Sequence, residues 1–397
     1  MLAVAAGLLS QTLMVVLLSD PFGGGGPDST EYARHAENLL DHGLYSFDGV
    51  HPDRMRQPLY PTFIAAVYAV FGRDNLHVYV VQILIGCVSI WMTWLLARRL
   101  GLSAPGAGLA GLLLAMYPPW ARLAGMIMTE TCSTLFWLAT APAFVTLVGA
   151  GRDRDALVMG AVIGLHTLCR PASFLFLPLF CGAILLAGFT MRRAVRLGLL
   201  TLMAFGLVML PWGIRNVMTL GHATILSAEG GVSLFIAMRA DREEIWRSGM
   251  GKFVDSPEVQ TLIQGAYPIS SAAAERFAQE GWRLLRQDPI GSIYRGLLGS
   301  VKAWLYAPGG LTVTRNRPWL WGPVVAIPTT LFLASLYGGL SLPGLAARVL
   351  IVALPLYFTL AHIAAPSHPR LVLPLFPFTA IGATAGFDRL RKVLHDA

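Results

Sequence analysis

Charge is what this chain has least of. Only 13% of its 397 residues are Asp, Glu, Lys or Arg, whereas an average soluble domain carries about 25%. Apolar types make up 55%, and the mean hydropathy is +0.60. That leaves too little polar surface to cover such a core in water. It excludes a string of soluble domains and intrinsic disorder, and points to an all-α polytopic membrane protein. Lysine is nearly missing: Lys252, Lys302 and Lys392 are the three among 30 basic residues, and nothing in the +8 balance points to nucleic acid. Cysteine is scarce as well. Cys87, Cys132, Cys169 and Cys181 lie in apolar stretches without metal-ligand spacing. They read as small core residues, with no disulfide framework and no metal site. Walker, Rossmann, GxSxG and zinc signatures are all missing, and the Gly23–Gly26 run lacks the lysine of a phosphate loop.

What is present is a series of long apolar runs. A spanning helix needs about 20 mainly apolar residues at 1.5 Å rise each. Ten such runs lie near 2–19, 76–97, 104–121, 127–149, 156–170, 172–190, 195–213, 319–341, 348–365 and 370–387. Met1–Leu18 lacks a basic leader and Asp20–Pro27 offers no small-x-small cleavage site, so it reads as the first span rather than a signal peptide. Gln57–Gly72 is left out. As a helix it would cover roughly 24 Å, short of a hydrocarbon layer of roughly 30 Å, and Pro58 and Pro61 sit in its first turn. It reads as a helix lying at the interface or tucked beneath the loop before it.

Charge distribution supports that choice. With Gln57–Gly72 outside, the inner connections carry Arg98, Arg99, Arg152, Arg154, Arg192, Arg193, Arg196, Arg348, Arg389, Arg391 and Lys392 against Asp153, Asp155, Asp388 and Asp396. Nearly all of the net positive charge then faces the cytoplasm, as short loops require, and both termini are cytoplasmic. Two long outer segments remain, about 20–75 and 214–318. The first opens on a glycine tether and continues as DSTEYARHAENLLDHG, whose Tyr32, Ala36, Leu39 and Leu40 keep helical spacing up to Gly43. The second carries a helical pattern from Ala272 onward, with apolar and arginine faces suited to the outer leaflet.

The residues able to do chemistry gather at that outer face. Asp28 precedes a helical stretch with Glu31 three residues on, and taken alone it reads best as an N-cap. The competing role is a general base at the membrane surface. Glu130, in MIMTETCSTLFW, sits at the mouth of a span, where a carboxylate is expensive and by default functional. A helix-terminal Glu bonded to Thr129 or Thr131 explains it equally well. Arg170 in LCRPAS, Arg215 in LPWGIRN and Arg370 in SHPRLVLPLFP lie at outer helix ends, and each alone reads as a headgroup anchor. Together with Arg56 in RQPLYP they have the guanidinium forks to hold one buried phosphate. His166 reads as a packed helix residue, and neither His362 nor His368 has a metal-binding partner pattern.

Several of these motifs stand in a familiar order. D-x-x-x-Y-x-x-x-A at Asp28, Tyr32 and Ala36 is followed by RQPLYP and Phe71-Gly72. Thr129-Glu130, Cys169–Pro171, PWGIRN at Pro211–Asn216 and PRLVLPLFP complete the set. In this the chain resembles the GT-C superfamily of integral-membrane glycosyltransferases, most of all the bacterial relatives of protein O-mannosyltransferases and of lipid A aminoarabinose transferases. The resemblance implies a single GT-C-like domain over 1–397, with juxtamembrane helices in the first outer loop. It implies a bacterial inner-membrane enzyme with a periplasmic site, where a polyprenyl-phosphate sugar donor meets a lipid, glycan or protein acceptor among membrane lipids. Asp28 would be the base and Glu130 an orienting group; Arg170, Arg370, Arg56 and Arg215 would face the donor phosphate. Glu31, Tyr32, Tyr60 and His368 would line the substrate site, with no cofactor and no metal. One departure stands out: many relatives carry Asp-Glu where this chain has Asp28-Ser29, the next acid being Glu31. A transporter or lipid flippase is the main alternative, and a membrane scaffold a second. Transporters place ionisable groups near mid-span, whereas here they collect at one face.

Overall fold

The computed structural model describes residues 1–18, 27–221, 223–239, 255–264, 270–305, 322–365 and 368–396. The glycine tether at 23–26 and parts of the second long connection lie outside them. Every regular element among the described residues is helical. In chain order the helices are α1 Leu2–Leu18, α2 Pro27–His42, α3 Leu59–Phe71, α4 Asn75–Arg99, α5 Ala104–Met116, α6 Pro118–Ala121, α7 Glu130–Ala150, α8 Asp153–Cys169 and α9 Leu177–Leu185. They continue with α10 Met191–Leu220, α11 Glu229–Met238, α12 Pro257–Ile263, α13 Ser271–Gln287, α14 Pro289–Leu305, α15 Ile327–Ser341, α16 Gly344–Arg348, α17 Leu354–Ala361 and α18 Phe376–Asp396.

The protein is a polytopic all-α membrane protein. Among the described residues six segments are long and apolar enough to cross a bilayer: α4, α7, α10, Val324–Ser341, Gly344–Ala364 and Pro369–Arg391. The other four predicted spans hold shorter helices. Proline explains two of them, because the residue before a proline is driven out of the helical region. Tyr117, before Pro118, is extended (φ −80°, ψ 104°) and ends α5 after 13 residues. Arg170, before Pro171, is extended too (φ −142°, ψ 110°), so α8 stops at Cys169 and a 3₁₀ turn over Pro171–Phe176 leads into α9. His368 repeats the pattern before Pro369 (φ −121°, ψ 137°). These breaks put Arg170 and Arg370 at helix junctions. In α10, by contrast, Pro211 is accommodated within a 30-residue helix, so Arg215 lies inside it rather than at its end.

Side chains supply the helix starts. Asp74, Ser103, Thr190 and Ser270 each accept a backbone N–H in the first turn of α4, α5, α10 and α13. Gly43 follows α2 at φ +63°, a left-handed stop few other residues take without strain. The run at 57–72 forms α3, 13 residues long and so about 20 Å, too short to span. It lies against α2 and the start of α4: Tyr60 meets Tyr32 edge-on at 5.0 Å, and its hydroxyl donates to Gln82 Oε1 at 2.8 Å.

The bundle closes through backbone contacts. A Cβ on Gly160 of α8 would lie 2.1 Å from the Thr201 carbonyl of α10, and one on Gly338 of α15 would lie 2.0 Å from the Gly382 carbonyl of α18. Such approaches replace the hydrophobic drive that helices lack inside lipid. α10 meanwhile turns Leu199, Leu202, Met203, Leu207 and Leu210 outward, as a lipid-facing helix does.

The two long connections meet. The second begins after Leu220 rather than near 214, and its helical pattern splits at Asp288-Pro289 into α13 and α14. α11 and α13 share a small core of Val232, Phe235, Ala273, Ala274 and Phe277, which also takes in Met55 from the first connection. The Arg54 carbonyl accepts from Ala228 N at 2.8 Å, and its guanidinium reaches Glu275 at 2.8 Å. Gly160→Val should lower stability by about 1–3 kcal/mol or more, because neither backbone at this crossing can yield. Thermal unfolding in detergent checks it, and an unchanged midpoint would mean that the α8–α10 crossing is looser than the structure has it.

Candidate active site

α2 begins at Pro27, whose missing N–H is harmless in a first turn. Asp28 and Glu31 are three residues apart and Tyr32 four from Asp28, which sets all three on one side of the helix. Asp28 lies within the first turn, not ahead of it, so it is not the N-cap that its sequence position favours. Its carboxylate turns outward instead: Oδ1 accepts from Arg56 Nη2 at 2.7 Å and Oδ2 from Arg370 Nη2 at 3.3 Å.

Arg56 is the hub. Its guanidinium is 6% exposed and each nitrogen meets a different acid: Nε with Glu31 at 2.7 Å, Nη2 with Asp28 at 2.7 Å and Nη1 with Glu229 at 2.8 Å. Its carbon lies 4.9 Å from the centre of the Tyr32 ring. Arg56 was expected to face a donor phosphate, but its fork is spent on carboxylates.

Glu130 opens α7 and is 2% exposed. Neither neighbouring threonine accounts for it. Its Oε1 lies 3.3 Å from Arg170 Nη1 and 3.0 Å from Arg370 Nε. The second contact is charge on charge, because the buried Arg370 Nε makes no hydrogen bond among the described residues. Arg170 also donates to Thr129 Oγ1 at 3.0 Å. A continuous chain of opposite charges results, Glu31–Arg56–Asp28–Arg370–Glu130–Arg170, with Glu229 attached at Arg56. Four carboxylates thus face three guanidinium groups. Glu130 and Arg56 form the floor, while Asp28 (36% exposed) and Glu229 (34%) form the rim. Burial pushes the Asp28 carboxyl up, but Arg56 and Arg370 outweigh it and hold the group below its ordinary 3.8. Asp28 is therefore a carboxylate at neutral pH.

The remaining expected residues divide. His368 adjoins the cluster: its Nδ1 accepts from Arg370 N at 3.1 Å, and burial with Arg370 holds its pKa at about 4, so the ring is neutral. Tyr60 is 1% exposed with its hydroxyl given to Gln82, which places it in the floor beneath Tyr32. Arg215 stands apart from the acids. It donates to the carbonyls of Asp53 (2.7 Å) and Tyr45 (2.9 Å) and lies over the Tyr45 and Trp212 rings, so it fastens the first connection to α10. His166 is buried, with Ser133 at 2.7 Å and Phe136 stacked on its ring, and His362 stacks on Phe358. Glu229 was not anticipated. In SAEGG it is one acid among many on a long loop, and nothing nearby marks it. Among the described residues no three His, Cys, Asp or Glu side chains converge as metal ligands would.

Set against known proteins, residues 50–214 match the family model described as dolichyl-phosphate-mannose-protein mannosyltransferase. No curated protein sequence matches the chain. Among solved structures it is similar to the oligosaccharyltransferase AglB of Archaeoglobus fulgidus in complex with an inhibitory peptide and a dolichol-phosphate. There the TM-score is 0.55 at 16% identity, over 99% of this chain and 51% of that one. The same archaeal enzyme tethered to an acceptor peptide gives 0.56 at 14% identity, over 99% and 50%. The fold is GT-C-like. The chain spans about half the length of these archaeal structures. ArnT of Cupriavidus metallidurans bound to undecaprenyl phosphate covers 98% of this GT-C-like chain and 77% of its own at 17% identity, with a TM-score of 0.43 that bears no weight here.

Proposed function

We propose that this protein is a glycosyltransferase that moves a sugar from a polyprenyl-phosphate donor to an acceptor hydroxyl, with Asp28 as base. The observation that carries the reading is the Asp28 carboxylate held between Arg56 and Arg370, with Arg370 shared with the buried Glu130. In one displacement Asp28 takes the acceptor's proton as its oxygen bonds to the anomeric carbon. The bond from that carbon to the phosphate oxygen breaks, and polyprenyl phosphate leaves with the electron pair, inverting the centre. Arg370 and Arg170 are the cations placed to meet the charge that grows on the phosphate. Support comes from the buried Arg370 Nε, a donor without a hydrogen bond among the described residues, which is what a site built for a further acceptor would contain. A narrow apolar crevice lined by Tyr117, Trp304, Phe332, Pro369, Val372 and Phe376 adjoins Arg370 through Pro369 and suits a lipid tail.

The same reading sets the chain in a bacterial inner membrane with ten spans, cytoplasmic termini and the acid cluster facing the periplasm. Nucleotide sugars stay in the cytoplasm, so an outward-facing transferase needs a donor that crosses as lipid. The charge pattern argues against a transporter: the ionisable cluster sits at one end of the bundle, beneath the two long connections, rather than at mid-span.

Asp28→Asn should cut transfer by about 10²–10⁴-fold, the usual worth of a positioned base, while undecaprenyl phosphate still binds. Turnover near the parent rate would remove Asp28 from the chemistry. Arg370→Ala should weaken undecaprenyl phosphate binding by about tenfold or more, as losing a charge-assisted hydrogen bond does; an unchanged Kd would take it out of the phosphate site. For orientation, single cysteines at the exposed Val50 and Arg192 should label from opposite sides of sealed vesicles. Labelling from one side would invert half the topology. Mass spectrometry of the lipid-linked sugars that accumulate when the gene is deleted would name the donor.

A further inference from the structure

Glu229 has no part in the chemistry above, yet it sits on the same guanidinium as the base. Arg56 gives Nη2 to Asp28 and Nη1 to Glu229, at 2.7 and 2.8 Å. Both carboxylates are about one-third exposed, while the guanidinium between them is almost wholly buried. Two negative charges on one fork repel, and so compete for its cation. Asp28 is consequently more basic than Arg56 and Arg370 alone would leave it. Resting on the reading of Asp28 as base, we propose that Glu229 is a positioning residue: its ionised carboxylate keeps Asp28 basic and holds Arg56 in place from the second long connection.

The surroundings of Glu229 make its charge state responsive. Around it are Arg56, then Asp28 and Glu31 of α2, with Arg170 further off. α13, packed on α11, presents Glu275, paired with Arg54, and Arg276, which donates to the Leu262 carbonyl. It also carries Glu280 and Arg283, paired with each other. α14 presents Arg295, paired with Asp288, and the turn after α17 presents the buried His362. Among the described residues none of this second group makes an ion pair with Glu229. Burial pushes the Glu229 carboxyl up from its ordinary 4.5; Arg56 pulls it back, and Asp28 and Glu31 push it up again, leaving it raised. The sign follows. As pH falls from neutrality, Glu229 takes a proton before Asp28 does. The repulsion disappears, Arg56 binds Asp28 more strongly, and the base weakens while still ionised.

The test uses the full-length protein in liposomes, with undecaprenyl-phosphate mannose as the donor probe and kcat and KM followed from pH 8 to about pH 4.5. The parent protein should lose activity in a phase centred above the range of an ordinary glutamate. Glu229→Gln keeps the shape and a hydrogen bond to Arg56 but never ionises. It should run flat across that phase, with kcat about three- to tenfold lower at neutral pH, as a weakened base requires, and KM for the donor within about twofold. Glu229→Asp should restore the pH-dependent phase, which a purely structural latch would not do. A Glu229→Gln profile that keeps the parent phase and rate overturns the proposal and leaves Asp28 as base. Turnover by Asp28→Asn would overturn both.

Discussion

Buried charge has to be paired, and that constraint organises the whole end of the bundle where the two long connections meet. Removing one partner of a buried ion pair costs about 3–5 kcal/mol, because the other is left uncompensated. Arg56, 6% exposed, is therefore stable only while α2 brings Asp28 and Glu31 to it and α11 brings Glu229. The Glu229 contact fastens the first connection to the second, while those to Asp28 and Glu31 tie Arg56 to α2 within the first. Met55 between the two apolar faces and Arg54 on Glu275 extend that seam on one side of Arg56, and Gln57 extends it on the other through the Ile225 carbonyl. A four-residue segment, RMRQ, is thus both the joint between two loops and the centre of the charge network.

Proline sets where the other cations stand. Pro171 and Pro369 each force the preceding residue into extended backbone and start a 3₁₀ turn, and Pro171 also ends α8. The arginine beside each proline is carried off the helix surface and across the bundle to Glu130. A guanidinium on a regular helical turn would point along its own helix face. The motifs C-R-P and H-P-R thus have a mechanical meaning, since the proline aims the arginine.

Much of this was legible in the sequence. Hydrophobic run lengths located the six segments long enough to cross a bilayer, and the 16-residue run at 57–72 forms a helix of 13 residues, because length and Pro58 are local facts. Asp28, Glu31, Glu130, Arg170 and Arg370 were all named, since acids and arginines near lipid stand out against an apolar background. What failed depended on partners. The N-cap reading of Asp28 needs only its neighbours in the chain, whereas its true environment comes from residues 28 and 342 positions away. Arg215 looked like Arg370, yet loop carbonyls claim it. Glu229 was invisible because the second connection is polar enough for one more acid to mean nothing.

The network also distinguishes its arginines in a way that bears on the proposed chemistry. When Asp28 accepts a proton, its ion pairs with Arg56 and Arg370 weaken together. Arg56 keeps Glu31 and Glu229 and is still neutralised. Among the described residues Arg370 keeps Glu130 as its one acidic partner, which Arg170 already shares. The positive charge released by protonation therefore appears at Arg370 and not at Arg56. It emerges beside the apolar crevice, where a leaving phosphate would be gaining negative charge. Base and leaving-group stabiliser are then coupled by one shared cation, without any side chain having to move. Lysine would serve less well there, because its ammonium is a single point charge, whereas Arg370 meets Asp28 and Glu130 through two different nitrogens of one planar fork.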